Sequence, residues 1–134
     1  MRNNILVVDD EPDMVCLLEH HLRTAGYTVC TAANGREGIA QAQRHLPDLI
    51  LLDVMLPDLD GYSACELLHK FPSTAAIPVL ILTAASGEFQ RCQAVSSGAV
   101  GFLNKPFRVS SLLQCVQSTL AQAQAERFEG EPPV

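Results

Sequence analysis

The sequence predicts an α/β fold, a five-stranded parallel sheet doubly wound by a (βα)5 chain. Three observations predict it. Five short apolar runs, "NILVV", "YTVCTA", "DLILLD", "IPVLILTA" and "AVGFLNK", alternate with longer segments of helical period. The first, third and fourth runs are nearly continuous in Val, Ile and Leu, as expected of strands covered on both faces. The connections are short, which implies right-handed crossovers and a sheet sandwiched between helix layers.

The first strand runs without a spacer into Asp9, Asp10, Glu11 and Asp13. Pro12 suits the first turn of a helix, in which Val15, Leu18, Leu22 and Ala25 fall on one stripe. Gly26 breaks that helix before the second strand. Asn34, with Glu37 three residues later, marks a capped start for the second helix. The third strand ends in Asp53, and the turn "PDLDG" leads to a break at Gly61. The fourth strand ends at Thr83. The helix after it is apolar only at Phe89, Cys92 and Val95, plus small residues such as Ala94, which predicts weak anchoring. Gly98 precedes the fifth strand, which contains Phe102 and ends in Asn104, Lys105 and Pro106. Val109, Leu113, Val116 and Leu120 form the stripe of the last helix. Beyond it the closing "ERFEGEPPV" loses the apolar period, so residues 1–124 are expected to form one domain and 125–134 a tail or the start of a linker.

Composition sets the class. The 134 residues fit one domain, with 48% hydrophobic and 5% aromatic residues and no tryptophan, so the core is expected to be aliphatic. A net charge of −6 excludes a surface that tracks phosphates, and no direct nucleic-acid binding by this chain is expected. No segment approaches about 18 apolar residues, so no membrane partner is expected and the location is taken as cytoplasmic. Cys16, Cys30, Cys65, Cys92 and Cys115 stand singly and are read as reduced, buried thiols. His20, His21, His45 and His69 lack metal-ligand spacing.

Ligands of open α/β sheets bind at the carboxyl ends of strands, where the winding reverses. If strands one and three are neighbours, Asp9, Asp10, Asp53, Thr83 and Lys105 converge on one crevice. Clustered carboxylates repel unless a cation sits among them, and an all-oxygen set of this kind suits Mg²⁺. A carboxylate beside Mg²⁺ and an ammonium is also a competent nucleophile toward a phosphoryl group, with Asp53 the central candidate.

The stretches "VVDDEP", "LLDVMLPDLDG", "PVLILTA" and "GAVGFLNKPF" together resemble the response-regulator receiver domain (CheY-like) of two-component signal transduction, over roughly Asn4 to Ala121. The resemblance implies the flavodoxin-like strand order 2-1-3-4-5. It implies that Asp53 accepts phosphate from a sensor histidine kinase or a histidine phosphotransfer protein. Asp9, Asp10, Asp53 and the Met55 main-chain carbonyl would bind Mg²⁺, and Thr83 and Lys105 would contact the phosphoryl oxygens. Thr83 and Phe102 would switch a face made by helix 4, strand 5 and helix 5, read by a downstream output domain or target protein. Such a module is no enzyme in its own right, though it assists its own phosphorylation and dephosphorylation. Receivers joined to winged-helix output domains often carry charged residues at the start of strand five for a symmetric dimer; here Val100 and Gly101 stand there, so that dimer is not expected. The resemblance also implies that Met55 and Ala85 flank the path of the hydrolytic water, and neither side chain can orient it, so slow dephosphorylation is expected. The alternative is a Mg²⁺-dependent phosphohydrolase with an aspartyl-phosphate intermediate. Such an enzyme would want a second Asp where Met55 stands.

Overall fold

The structure, a computed structural model, describes residues 3–84 and 87–129. Strands and helices alternate: β1 (Asn4–Val8), α1 (Pro12–Thr24), β2 (Thr28–Ala32), α2 (Gly35–His45), β3 (Leu49–Asp53), α3 (Gly61–Lys70), β4 (Val79–Thr83), α4 (Glu88–Ser96), β5 (Gly101–Asn104) and α5 (Val109–Glu129). All pairings are parallel and the strand order is β2-β1-β3-β4-β5, as expected.

The period of two along each strand builds two separate cores. Leu6, Val8, Ile50, Leu52, Val79 and Ile81 face Ala42, Ala64, Cys65, Leu68 and Ala94, contributed by α2, α3 and α4. Ile5, Val7, Leu49, Leu51, Leu80 and Leu82 face Leu18 and Leu22 of α1 and Leu112, Val116 and Leu120 of α5. The central strands β3 and β4 are buried along their whole length, whereas the edge strands β2 and β5 are largely half-buried. That contrast is what the continuous apolar runs of the third and fourth strands foretold.

Several finer expectations are corrected. Ala25 does not extend the α1 stripe: the helix ends at Thr24, and Ala25 is an exposed cap residue whose N–H donates to the His21 carbonyl at 3.1 Å. On α5 the buried line is Leu112, Val116 and Leu120, with Val109 and Leu113 at its margin. A stripe four residues apart fits the sheet contact better than one that starts at the first helical residue. Of the cysteines, Cys65 alone is buried; Cys16 and Cys92 are exposed, and Cys30 and Cys115 half-buried, all as free thiols. A lone apolar-looking thiol on a short amphipathic helix says little about which face it takes. Helix α5 continues to Glu129, so the backbone remains helical after the apolar period has ended. Ala85 and residues 130–134 lie outside the described residues. Among the described residues no helix is long and apolar enough to cross a membrane.

Candidate functional site

Register brings the polar strand ends together. Val8 pairs with Leu52 and Leu52 with Ile81, so Asp9 and Asp53 emerge side by side one residue later. Leu82 lies opposite Asp53, and Thr83 follows it. Main-chain bonds continue the sheet past the strands: the Asp9 N–H donates to the Ala32 carbonyl at 3.1 Å, Val54 to Leu82 at 3.2 Å, and Lys105 to Thr83 at 2.7 Å.

Carboxylate oxygens of Asp9, Asp10 and Asp53 all lie within 4.8 Å of one another. Asp9 is 1% exposed and Asp53 6%, while Asp10 is open to solvent. The Lys105 ammonium stands 3.0 Å from Asp9 Oδ2 and 3.5 Å from Asp53 Oδ1. Asp9 Oδ1 also accepts the Glu11 N–H at 2.9 Å, at the mouth of α1, where Pro12 takes the first helical position and Glu11 caps only with its backbone. Neither Asp10 nor Glu11 therefore serves as the side-chain cap of that helix.

Burial pushes the Asp53 carboxyl above the ordinary carboxylate value; Lys105 opposes that shift and the neighbouring Asp9 adds to it. Asp53 Oδ1 accepts the Met55 N–H at 3.4 Å. Met55 itself is 75% exposed. Thr83 is buried, 3% exposed. The donor set fits a hard divalent cation: three carboxylates at one point, two of them desolvated, with a single ammonium among the described residues that bridges only two.

Farther along the same strand end, Phe102 is half-buried against the α2–α3–α4 core, and the Arg91 guanidinium of α4 lies 5.6 Å from its ring centre. Helix α4 buries only Ala94, while Phe89 and Val95 are 69% and 68% exposed and Val100 before β5 is 59% exposed. The weak anchoring predicted for this helix is thus a structural fact. Its ties to the body include the hydrogen bond from Tyr62 Oη of α3 to Gln90 Oε1. Neither Arg91 over Phe102 nor that bond was visible in the sequence, because both join residues with no periodic relation.

The response regulator receiver domain model matches residues 5–117. The chain belongs to that family. Receivers are the phosphoacceptor modules of two-component signalling, and that class replaces the phosphohydrolase alternative. The receiver is 46% identical over 118 residues to the response regulator PleD of Caulobacter vibrioides, covering 88% of this chain and 26% of that protein. It is 40% identical to the alkaline phosphatase synthesis transcriptional regulatory protein PhoP of Bacillus subtilis, over 92% of this chain and 51% of PhoP. The receiver thus spans about half or less of the length of these relatives. Among solved structures, the receiver domain of sensor histidine kinase PA1611 from Pseudomonas aeruginosa PAO1, with magnesium coordinated in its active-site cleft, superposes with a TM-score of 0.83 at 32% identity, over 90% of this chain and 99% of that one.

Proposed function

We propose that Asp53 is the phosphoacceptor of this receiver. The single observation that carries the reading is the pairing of a buried carboxylate with Lys105 at 3.5 Å and a second buried carboxylate beside it, at the strand ends where the fold presents ligands. A carboxylate oxygen of Asp53 attacks the phosphorus of a phosphohistidine on a sensor kinase or phosphotransfer protein. The P–N bond breaks, and the leaving imidazole nitrogen takes a proton from solvent. Lys105 and the Thr83 hydroxyl contact the transferred oxygens, and alignment supplies most of the rate.

Asp9, Asp10 and Asp53, with the Met55 main-chain carbonyl, would hold Mg²⁺, as the magnesium-bound receiver of PA1611 suggests. The bound ion would neutralise charge between the carboxylates and the phosphoryl oxygens. Lys105 supplies part of that neutralisation from the chain itself. Phosphorylation then draws the Thr83 hydroxyl toward the new anion and opens space for Phe102, which biases the loosely held α4 and the face it shares with β5 and α5. A downstream output domain or target protein reads that face. In this reading residues 1–124 act as the receiver, which assists its own phosphorylation and dephosphorylation, and 125–134 are a tail or the start of a linker.

The test is incubation with Mg²⁺ and acetyl phosphate, followed by intact mass. The parent should gain one phosphoryl group, labile to hydroxylamine, and Asp53→Asn should gain none while remaining folded. An adduct that persists on Asp53→Asn overturns the assignment, as does a parent protein that gains no phosphoryl group.

A further inference from the structure

Between Asp53 and α3 the chain makes a short loop, residues 54–60, which carries Met55. Its root is closed by the Gly61 N–H, which donates to the Val54 carbonyl at 2.9 Å. A Cβ on Gly61 would lie 2.3 Å from the Asp53 carbonyl oxygen, so only glycine permits this closure. Its tip is held elsewhere. Asp58 Oδ1 accepts the Gly35 N–H at 2.8 Å and Asp58 Oδ2 the Arg36 N–H at 3.0 Å, across 23 and 22 residues of sequence. Asn34 Oδ1 accepts the Glu37 N–H at 2.8 Å, so the first three donors of α2 are all satisfied, two of them by a carboxylate from the loop. These two bonds hold the Asp58 carboxyl below its ordinary value, that to Arg36 most strongly. The two segments also pack closely, since a Cβ on Gly35 would lie 3.0 Å from Leu59 Cβ and 3.4 Å from the Leu59 carbonyl oxygen.

The same turn of α2 presses on the other wall of the crevice. A Cβ on Gly38 would lie 2.9 and 3.0 Å from the two methyls of Val8, the residue before Asp9. One helix end therefore braces both acid-bearing segments, β1 through Gly38 and the β3–α3 loop through Gly35 and Asp58.

We infer that Asp58 is a positioning residue: by fastening the loop to the N-terminus of α2 it fixes where Met55 and Asp53 stand relative to Asp9 and Asp10, and so sets the affinity of the crevice for a divalent cation. The inference deepens the phosphoacceptor reading and rests on it for its chemistry. Asp58 touches no reacting atom.

The experiment compares the parent with Asp58→Ala, Asp58→Asn and Gly35→Ala. Mg²⁺ affinity is measured by calorimetry on unphosphorylated protein, exchange of the Gly35 and Arg36 amides by NMR, and the Mg²⁺ dependence of acetyl-phosphate labelling by mass. Asp58→Ala should weaken Mg²⁺ binding about tenfold, the low end for lost outer support of ligands. Asp58→Asn keeps one acceptor oxygen and should fall between. Gly35→Ala leaves Asp58 intact but wedges the loop off the helix, so it should weaken binding in the same direction, and it decides the matter if Asp58→Ala is poorly folded. Faster exchange at Gly35 and Arg36 with parental Mg²⁺ affinity in all three variants would reduce Asp58 to a helix cap and overturn the inference. Failure of the parent to label would sink the phosphoacceptor reading alone, because the calorimetric comparison needs no phosphate.

Discussion

At the scale of single residues, environment assigns different work to identical side chains. Asp53 and Asp58 are carboxylates five residues apart in sequence, yet burial raises the first and backbone donors lower the second. For Asp53 the ordinary value is 3.8, so its ionised form is disfavoured by folding. Stability from this group is full below pH 3.8 and declines as pH rises through the higher folded value. Asp53→Asn should therefore raise the stability of the metal-free protein at pH 7, with the gain vanishing at acid pH; urea denaturation at the two pH values checks it. The cysteines divide in the same way. Burial pushes the Cys65 thiol up to about 11, whereas Cys16 and Cys92 lie open to solvent. A thiol reagent at pH 8 should modify Cys16 and Cys92 first, Cys30 and Cys115 more slowly, and Cys65 only on unfolding, as peptide mapping over time would show.

At the scale of elements, α4 differs from its neighbours. It contributes one buried residue to the core and leans on side-chain contacts from Tyr62 and Phe102. Its amides should exchange faster than those of α3 or α5, and Arg91→Ala should speed them further while lowering global stability by only about 0.5 kcal/mol, the scale of an exposed cation–π contact. The loop root behaves oppositely. Gly61→Ala forces a carbon into the Asp53 carbonyl and should cost about 3 kcal/mol or more, read from a denaturant midpoint. The weak anchoring of α4 was legible because so few apolar residues lie along it, although its larger ones, Phe89, Cys92 and Val95, face solvent and only Ala94 goes under. The Asn34 cap was equally legible, since its Glu37 N–H bond obeys a three-residue rule. Asp58 was not: "PDLDG" reads as an ordinary turn, and its contact with α2 depends on a packing of distant segments that no local pattern encodes. The buried register of α5 failed for a related reason. Val109 and Leu113 are apolar, and only the angle of the helix on the sheet decides that Leu112 goes under instead.

For the molecule as a whole, strand order explains why the crevice could be assembled from sequence. Four strand ends carry it, and parallel pairing without a break puts Asp9, Asp53, Thr83 and Lys105 at one rim. The crowding of carboxylates at this rim opposes folding. Asp10→Ala should weaken Mg²⁺ binding yet raise the stability of the metal-free protein, and Mg²⁺ at 100 times its dissociation constant should add about 2.7 kcal/mol to unfolding of the parent, visible as a shifted melting curve.

Lys105 lends the rim a further property. Its ammonium already spans Asp9 and Asp53, so the chain carries its own counter-ion to the two most deeply buried acids among the described residues. We expect a newly synthesised chain to close its sheet before it meets a metal ion, unlike small domains that fold only around one. Chelation with EDTA should accordingly leave the far-ultraviolet circular dichroism unchanged. In the proposed reading, the supply of divalent cation would set whether the finished protein is ready to react, while the fold itself would not depend on it. Assembly and competence would then be separate events in the life of the molecule, divided by a lysine that holds the place until the second begins.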